Sequence, residues 1–303
     1  MIKEKLNILD IYTEPVKELY DIFHSVPENE HLVLSFTLAK NNKIIRLRIN
    51  EQDKLFFNKS ELSYPPNEFV LSYGRTNLPK HSMFYGSVFP NSYDQEKDPN
   101  LRMVVAAEVS AMLRNTSSEG IEKQTYSVWI TKDDLKLIAL PFSSKYENPC
   151  KAIEDIQNHW NSLISKFGVS QEAKDLAKFM SNEIAKEVSN HKEYFIIANY
   201  IYYLLYINNE TKKYDGIIYP TVPLQGAGFN IALKSEIVDA KLQFIQAGEG
   251  HMIKRKMEST ILCVKDLKLI NENGDLSYSE SSEFNLKKKE LYAELEQGLV
   301  FVN

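Results

Sequence analysis

Cysteine is almost missing from this chain of 303 residues: there are two, Cys150 and Cys263, far apart and in no CxxC pair. That excludes a disulfide scaffold and a cysteine-built zinc site, and it fits a reducing cytosol. An excess of basic charge is missing too. With 36 lysines and arginines against 41 acidic residues, the net charge is −5. The cations are dispersed, so the stripe that DNA or RNA binding requires is not there and no nucleic-acid partner is expected. Long apolar runs are also absent. The most apolar segment, Tyr194 to Ile207, is too short to span a bilayer and carries Asn199. The N-terminus, Met1-Ile2-Lys3-Glu4-Lys5-Leu6-Asn7, has no apolar signal-peptide core. No membrane partner is therefore expected, and the cytoplasm is the expected location.

Several chemical signatures are lacking as well. His24, His31, His81, His159, His191 and His251 never take metal-ligand spacing, so no metal site is expected. There is no HExxH, GxSxG or kinase set, and no internal repeat. Gln225-Gly226-Ala227-Gly228 has neither the lysine of a P-loop nor the strand-to-helix setting of a dinucleotide fingerprint. Strands and helices do not alternate regularly, which argues against a doubly wound parallel sheet.

What is present is ample apolar content, 43%, and one stretch that concentrates chemistry. Tyr73-Gly74-Arg75-Thr76-Asn77-Leu78-Pro79 is a turn bracketed by glycine and proline, and it holds the flat fork of Arg75 on a loop, where it suits phosphate or carboxylate. Ser82 to Phe89 has strand composition and places Tyr85 opposite Phe84. After the polar loop Asn91 to Asn100, a natural place for a lid or an insertion, Met103 to Leu113 reads as a helix. Glu108 is the anomaly there. Its helical neighbours Val104, Val105, Ala111 and Met112 are apolar, and no cation lies three or four residues away. Two readings follow: a carboxylate solvated at a groove edge, or one held in a cavity or by a distant partner.

Elsewhere the pattern predicts an amphipathic helix from Leu6 to Phe23, interrupted near Pro15. Strands are predicted at Leu32–Phe36 and Ile44–Ile49. The second puts Arg46 and Arg48 on one face, either solvated or helping to fix an anion. Tyr126–Ile130 and Leu135–Leu140 read as a strand pair across Thr131–Asp134. A helical block then runs from Lys151 to Ile207, in three helices. Tyr214 to Pro220 is a turn into a short strand, with Thr221 at its end, where a hydroxyl can face a ligand. Phe229–Leu233 and Leu242–Ala247 read as strands, Ile261–Ile270 with Leu276–Ser279 as a hairpin over Asn273-Gly274, and the tail from Ser281 as polar.

Gly74-Arg75-Thr76-Asn77 with Phe84-Tyr85 and Ala107-Glu108, and later Tyr214-Asp215-Gly216-Ile217-Ile218-Tyr219-Pro220-Thr221, together resemble the RES domain of bacterial toxin–antitoxin toxins. The resemblance runs from about Ile44 to Phe244. It implies one α+β domain with an ADP-ribosyltransferase-like core of two packed, curved sheets. The helical block at about 151–207 would be an insertion, and a C-terminal hairpin and tail would occupy about 249–303. It implies NAD as a substrate, not a recycled cofactor. ADP-ribose would be transferred to water, phosphate or a protein acceptor, possible partners being that acceptor and an antitoxin. Carried over, the catalytic positions fall on Arg75, Tyr85, Glu108 and Thr221, with Arg46, Arg48 and Asn77 assisting substrate binding. Thr221 stands where the family has serine, keeping the hydroxyl and adding a methyl. A non-catalytic nucleotide- or protein-binding relative of the same fold is the alternative.

Overall fold

In the computed structural model, which describes residues 2–88, 101–140, 150–166, 168–256 and 258–302, the fold is mixed α+β. The strands are β1 (Leu34–Leu38), β2 (Lys43–Ile49), β3 (Met83–Val88), β4 (Gly120–Thr131), β5 (Leu135–Ala139), β6 (Gly216–Pro220), β7 (Phe229–Lys234), β8 (Leu242–Arg255), β9 (Glu258–Ile270), β10 (Leu276–Glu280) and β11 (Phe301–Val302). Among the described residues they form one mixed sheet in the order β1-β5-β6-β7-β3-β2-β4-β8-β9-β10, with β11 on β4. The expected two sheets are thus one hydrogen-bonded path. It is thinnest at β2/β3, where only Ile44↔Val88 and Ile45↔Ser87 pair. Beyond Ile45, β2 leaves β3 and stays with β4, so the sheet forks.

The helices are α1 (Ile2–Asn7), α2 (Val16–His24), α3 (Leu101–Val109), α4 (Ala111–Arg114), α5 (Lys151–Lys166), α6 (Gln171–Ile184), α7 (Phe195–Tyr202), α8 (Ser235–Lys241) and α9 (Ser282–Glu296). Side chains alternate across a strand, so a strand covered on both faces reads as continuously apolar. β6 and β7 are buried at every residue. Ile217 and Tyr219 join the core under α1, α2, α6 and α7, while Ile218, Ile231 and Leu233 join the core under α5 and α8. β5 and β6 are parallel neighbours, and parallel neighbours cannot be joined by a tight turn. The helical block is therefore the crossover this pairing requires as well as an elaboration. Gly216 is needed at its end, since a Cβ there would overlap the Ala232 carbonyl of β7.

Sequence and structure differ elsewhere too, first at the N-terminal helix predicted from Leu6 to Phe23, where α1 ends at Asn7 and α2 starts only at Val16, with a turn between them. β4 and β5 do not pair: β4 lies between β2 and β8, and β5 between β1 and β6. The reason lies in the link, where Thr131 Oγ1 accepts from Asn42 N at 2.9 Å and Asp134 accepts from Lys40 N at 2.8 Å, drawing the chain across to β1. The Met103–Leu113 helix is two helices, because Ser110 accepts the amide of Leu113 at 3.0 Å and starts α4 afresh. The polar tail contains α9, capped by Ser281, whose Oγ accepts from Phe284 N at 3.0 Å. β4 and β8 far outrun their apolar cores, since twelve register pairs join them. The hairpin over Asn273-Gly274 is present, with Gly274 at φ +83°. The Asn91–Asn100 loop lies outside the described residues. Among those residues no helix is long and apolar enough to cross a membrane.

Candidate active site

Where β2 leaves β3, the fork opens into a cleft of about 990 Å³, whose walls carry Arg46, Arg48, Arg75 and Arg114 and which Tyr85 and Glu108 also line. Arg46 closes the fork's apex. Its Nη1 donates to the Tyr85 carbonyl at 3.0 Å, taking over the acceptor that β2 no longer serves. Burial draws its guanidinium down to about 10, still charged at neutral pH, and its Nε is buried without a partner among the described residues. Arg48 donates to the Glu61 carbonyl at 2.6 Å and lies 4.4 Å over the Phe56 ring.

Glu108 sits in the last turn of α3, where the helix dipole disfavours a carboxylate. Its surroundings compensate. Oε1 accepts from Thr221 Oγ1 at 2.6 Å, Asn230 Nδ2 at 2.7 Å and Val222 N at 3.1 Å. Arg114 Nη1 donates to the Glu108 and Ala107 carbonyls at 2.7 and 3.0 Å. Of the two sequence readings, both parts of the second describe the result: Glu108 lines the cleft and is held by distant partners. All three bonds fall on Oε1, so Oε2 has no hydrogen-bond partner among the described residues. Thr221 is fully buried, placed by the exit of β6 and by its amide bond to the Gly228 carbonyl at 2.9 Å.

The Gly74-Arg75-Thr76-Asn77 turn divides its work. The Tyr85 hydroxyl accepts from Thr76 Oγ1 at 2.8 Å and donates to Asn77 Oδ1 at 2.7 Å. A Cβ at Gly74 would overlap that Asn77 oxygen, which accounts for the glycine. Asn77 is buried and absent from the cleft lining, so it acts through Tyr85 and does not meet a ligand directly. Burial pushes the Tyr85 phenol up to about 12; it stays protonated, and its hydroxyl is occupied by the turn. Arg75 lines the cleft, yet Nη1 donates to the carbonyls of Ile184 at 2.5 Å and Lys186 at 3.0 Å, and Nη2 to the Tyr194 hydroxyl at 3.1 Å. Three of its five N–H groups thus hold the end of α6 and the segment after it.

Sequence reasoning missed Asn230, Tyr219, Tyr194 and Arg114. Asn230 is 3% exposed and links Glu108 to Ser87, whose Oγ donates to Asn230 Oδ1 at 2.7 Å. The available signal was an amide inside the apolar run Phe229-Asn230-Ile231-Ala232-Leu233, the same anomaly that marks Glu108. Tyr219 is buried beside these groups, and burial first, then the Glu108 charge, pushes its phenol well above the ordinary value. Among the described residues no group of three or more His, Cys, Asp or Glu side chains could hold a metal ion.

Compared with known proteins, the chain matches no protein-family model and no curated protein sequence.

Proposed function

We propose that the chain is an NAD-consuming enzyme that breaks the bond between nicotinamide and ribose, on a core related to the ADP-ribosyltransferases and of the RES type. The observation that carries this reading is an arginine-walled cleft lined by Glu108, whose Oε1 is held from behind at 2.6 Å by the buried hydroxyl of Thr221, a residue that itself lies outside the cleft lining. A dinucleotide needs cations for its pyrophosphate and a carboxylate for its ribose, and both kinds of group line this fork.

In the reaction the C1′–N bond breaks and nicotinamide leaves with the electron pair as a neutral base. Positive charge develops on the ribose, and the Glu108 carboxylate stabilises that oxocarbenium-like state. An oxygen of the acceptor, whether water, phosphate or a protein side chain, then bonds to C1′, and an O–H acceptor gives up its proton to solvent. Asn230, Thr221 and the Val222 amide fix one carboxylate oxygen, so Glu108 enters the reaction already oriented. Arg46, Arg48 and the two remaining N–H groups of Arg75 supply the pyrophosphate contacts. Tyr85 and Tyr219 supply aromatic wall.

A second reading, a nucleotide-binding relative without catalysis, is favoured by the prior commitment of Arg75 to Ile184, Lys186 and Tyr194. Incubating purified protein with NAD, with and without phosphate, and following free nicotinamide separates the two. Release supports the enzyme; NAD binding without release under either condition supports the binding module.

A further inference from the structure

On the other side of Arg46 and Arg48 lies a second cleft, of about 1090 Å³. Those two arginines line both spaces. One wall of the second cleft is aromatic, formed by Tyr64, Phe69 and Phe244, with Phe69 71% exposed. Trp129 lies behind, edge-on to Phe244 with ring centroids 5.3 Å apart, its Nε1 held by Ser127 Oγ at 3.0 Å. Cations also line it: Lys54, Lys59 and Lys132 beside the two arginines.

The carboxylates on this surface are already engaged. Glu61 pairs with Lys54 at 3.2 Å, and Asp239 accepts from the Tyr64 hydroxyl at 2.6 Å. Lys59 and Lys132 are exposed and have no carboxylate within ion-pair reach among the described residues, so both ammonium groups are open to an anion. Aromatic faces beside uncommitted cations are the pairing that recognises a stacked base carrying a phosphate.

We propose that this second cleft binds a nucleotide unit, its base against the wall of Tyr64, Phe69 and Phe244 and its phosphate on Lys59 and Lys132. The site shares the wall of Arg46 and Arg48 with the Glu108 cleft but takes its ligand contacts from other residues, and it does not depend on NAD cleavage. The same chemistry is offered by a free nucleotide and by the phosphorylated end of a nucleic-acid strand, which the test tells apart.

The test is titration calorimetry of the full chain with AMP, adenosine, inorganic phosphate and a 5′-phosphorylated single-stranded tetranucleotide, repeated on Lys59→Glu/Lys132→Glu. Both lysines are exposed, so the double variant keeps the fold, which circular dichroism checks, and it keeps whatever nicotinamide release the unaltered chain has. AMP is expected to bind at least about tenfold more tightly than adenosine or phosphate, and the double variant to lose at least about tenfold in AMP affinity. AMP binding is also expected to quench Trp129 fluorescence, a change that disappears in Trp129→Phe, where Trp160 is the remaining tryptophan. A tetranucleotide that binds more tightly than AMP identifies a strand end as the source; an equal or weaker one identifies the free nucleotide. No AMP binding at millimolar concentration, equal binding of phosphate and AMP, or unchanged AMP affinity in the double variant would each overturn the proposal.

Discussion

Thr221 and Glu108, separated by 113 residues, meet in a 2.6 Å hydrogen bond that ties the exit of β6 to the last turn of α3. The hydroxyl donates and the carboxylate accepts, a charge-assisted bond in a part-buried setting. Thr221→Ser keeps the donor and is expected to leave nicotinamide release within a few-fold of the unaltered rate. Thr221→Val keeps the shape and removes the donor, and should destabilise the fold by about 1.5–3 kcal/mol while slowing release by roughly tenfold or more. Melting temperature and turnover number measured on the same two variants check both halves. A fully active Thr221→Val would mean that the bond has no part in orienting Glu108.

Asn230 completes the same constellation from β7, giving its amide to Glu108 at 2.7 Å and accepting from Ser87 at 2.7 Å. Asn230→Asp replaces a donor with a like charge at hydrogen-bond distance. The expected outcome is a loss of at least about 2 kcal/mol in urea unfolding at neutral pH, together with loss of release. Stability that improves with acid only in this variant would identify carboxylate repulsion as the cause.

Arg75 serves the protein before it serves a ligand. Arg75→Ala removes the donor from the Ile184 and Lys186 carbonyls, which should cost about 1–3 kcal/mol and speed amide exchange in residues 184–194. A purely ligand-binding arginine would instead raise the KM for NAD and leave exchange there unchanged. Exchange mass spectrometry beside the KM therefore decides how much of each role Arg75 carries.

His31 makes the fold acid-sensitive. It is buried, with Nε2 3.1 Å from the Phe23 carbonyl and Nδ1 3.3 Å from the Tyr200 hydroxyl, and burial holds its pKa down to about 4 from an ordinary 6.5. Between those values the unfolded chain takes up a proton that the folded chain refuses. Stability from this group is complete above about pH 6.5 and is lost as pH falls toward 4, by on the order of 3 kcal/mol in all. Urea midpoints at pH 7 and pH 5 should differ more for the unaltered protein than for His31→Gln; an equal pH dependence in both would remove His31 as the source.

The residues that the sequence exposed most clearly were those out of keeping with their neighbours. Glu108 among Val104, Val105 and Met112 marked itself, and alternation located β2, and strand composition β3 and β7, to within two residues. Asn230 was an equally clear anomaly that went unread, because one amide in a strand carries less charge than one carboxylate in a helix. Pairing was less legible. Short connections suggest hairpins, and Thr131–Asp134 suggested one between β4 and β5. The side chains of Thr131 and Asp134 bond to the β1–β2 connection instead, information held in residues some ninety positions away. The fork at β2/β3 is likewise invisible locally, since nothing in Arg46-Leu47-Arg48 says that the partner strand has ended. The commitment of Arg75 to the end of α6 could not be read at all, because a backbone carbonyl leaves no signature in sequence.

In the proposed reaction Glu108 is an oriented carboxylate acting on the ribose of NAD. The most direct measurement is single-turnover release of nicotinamide by the unaltered protein and by Glu108→Gln, which keeps the shape and removes the charge. Measurable release is expected from the unaltered chain and a rate reduced roughly 100-fold or more in the variant, with NAD affinity changed much less. Equal rates in the two proteins, or no release by the unaltered chain with water, phosphate or protein as acceptor, would contradict it.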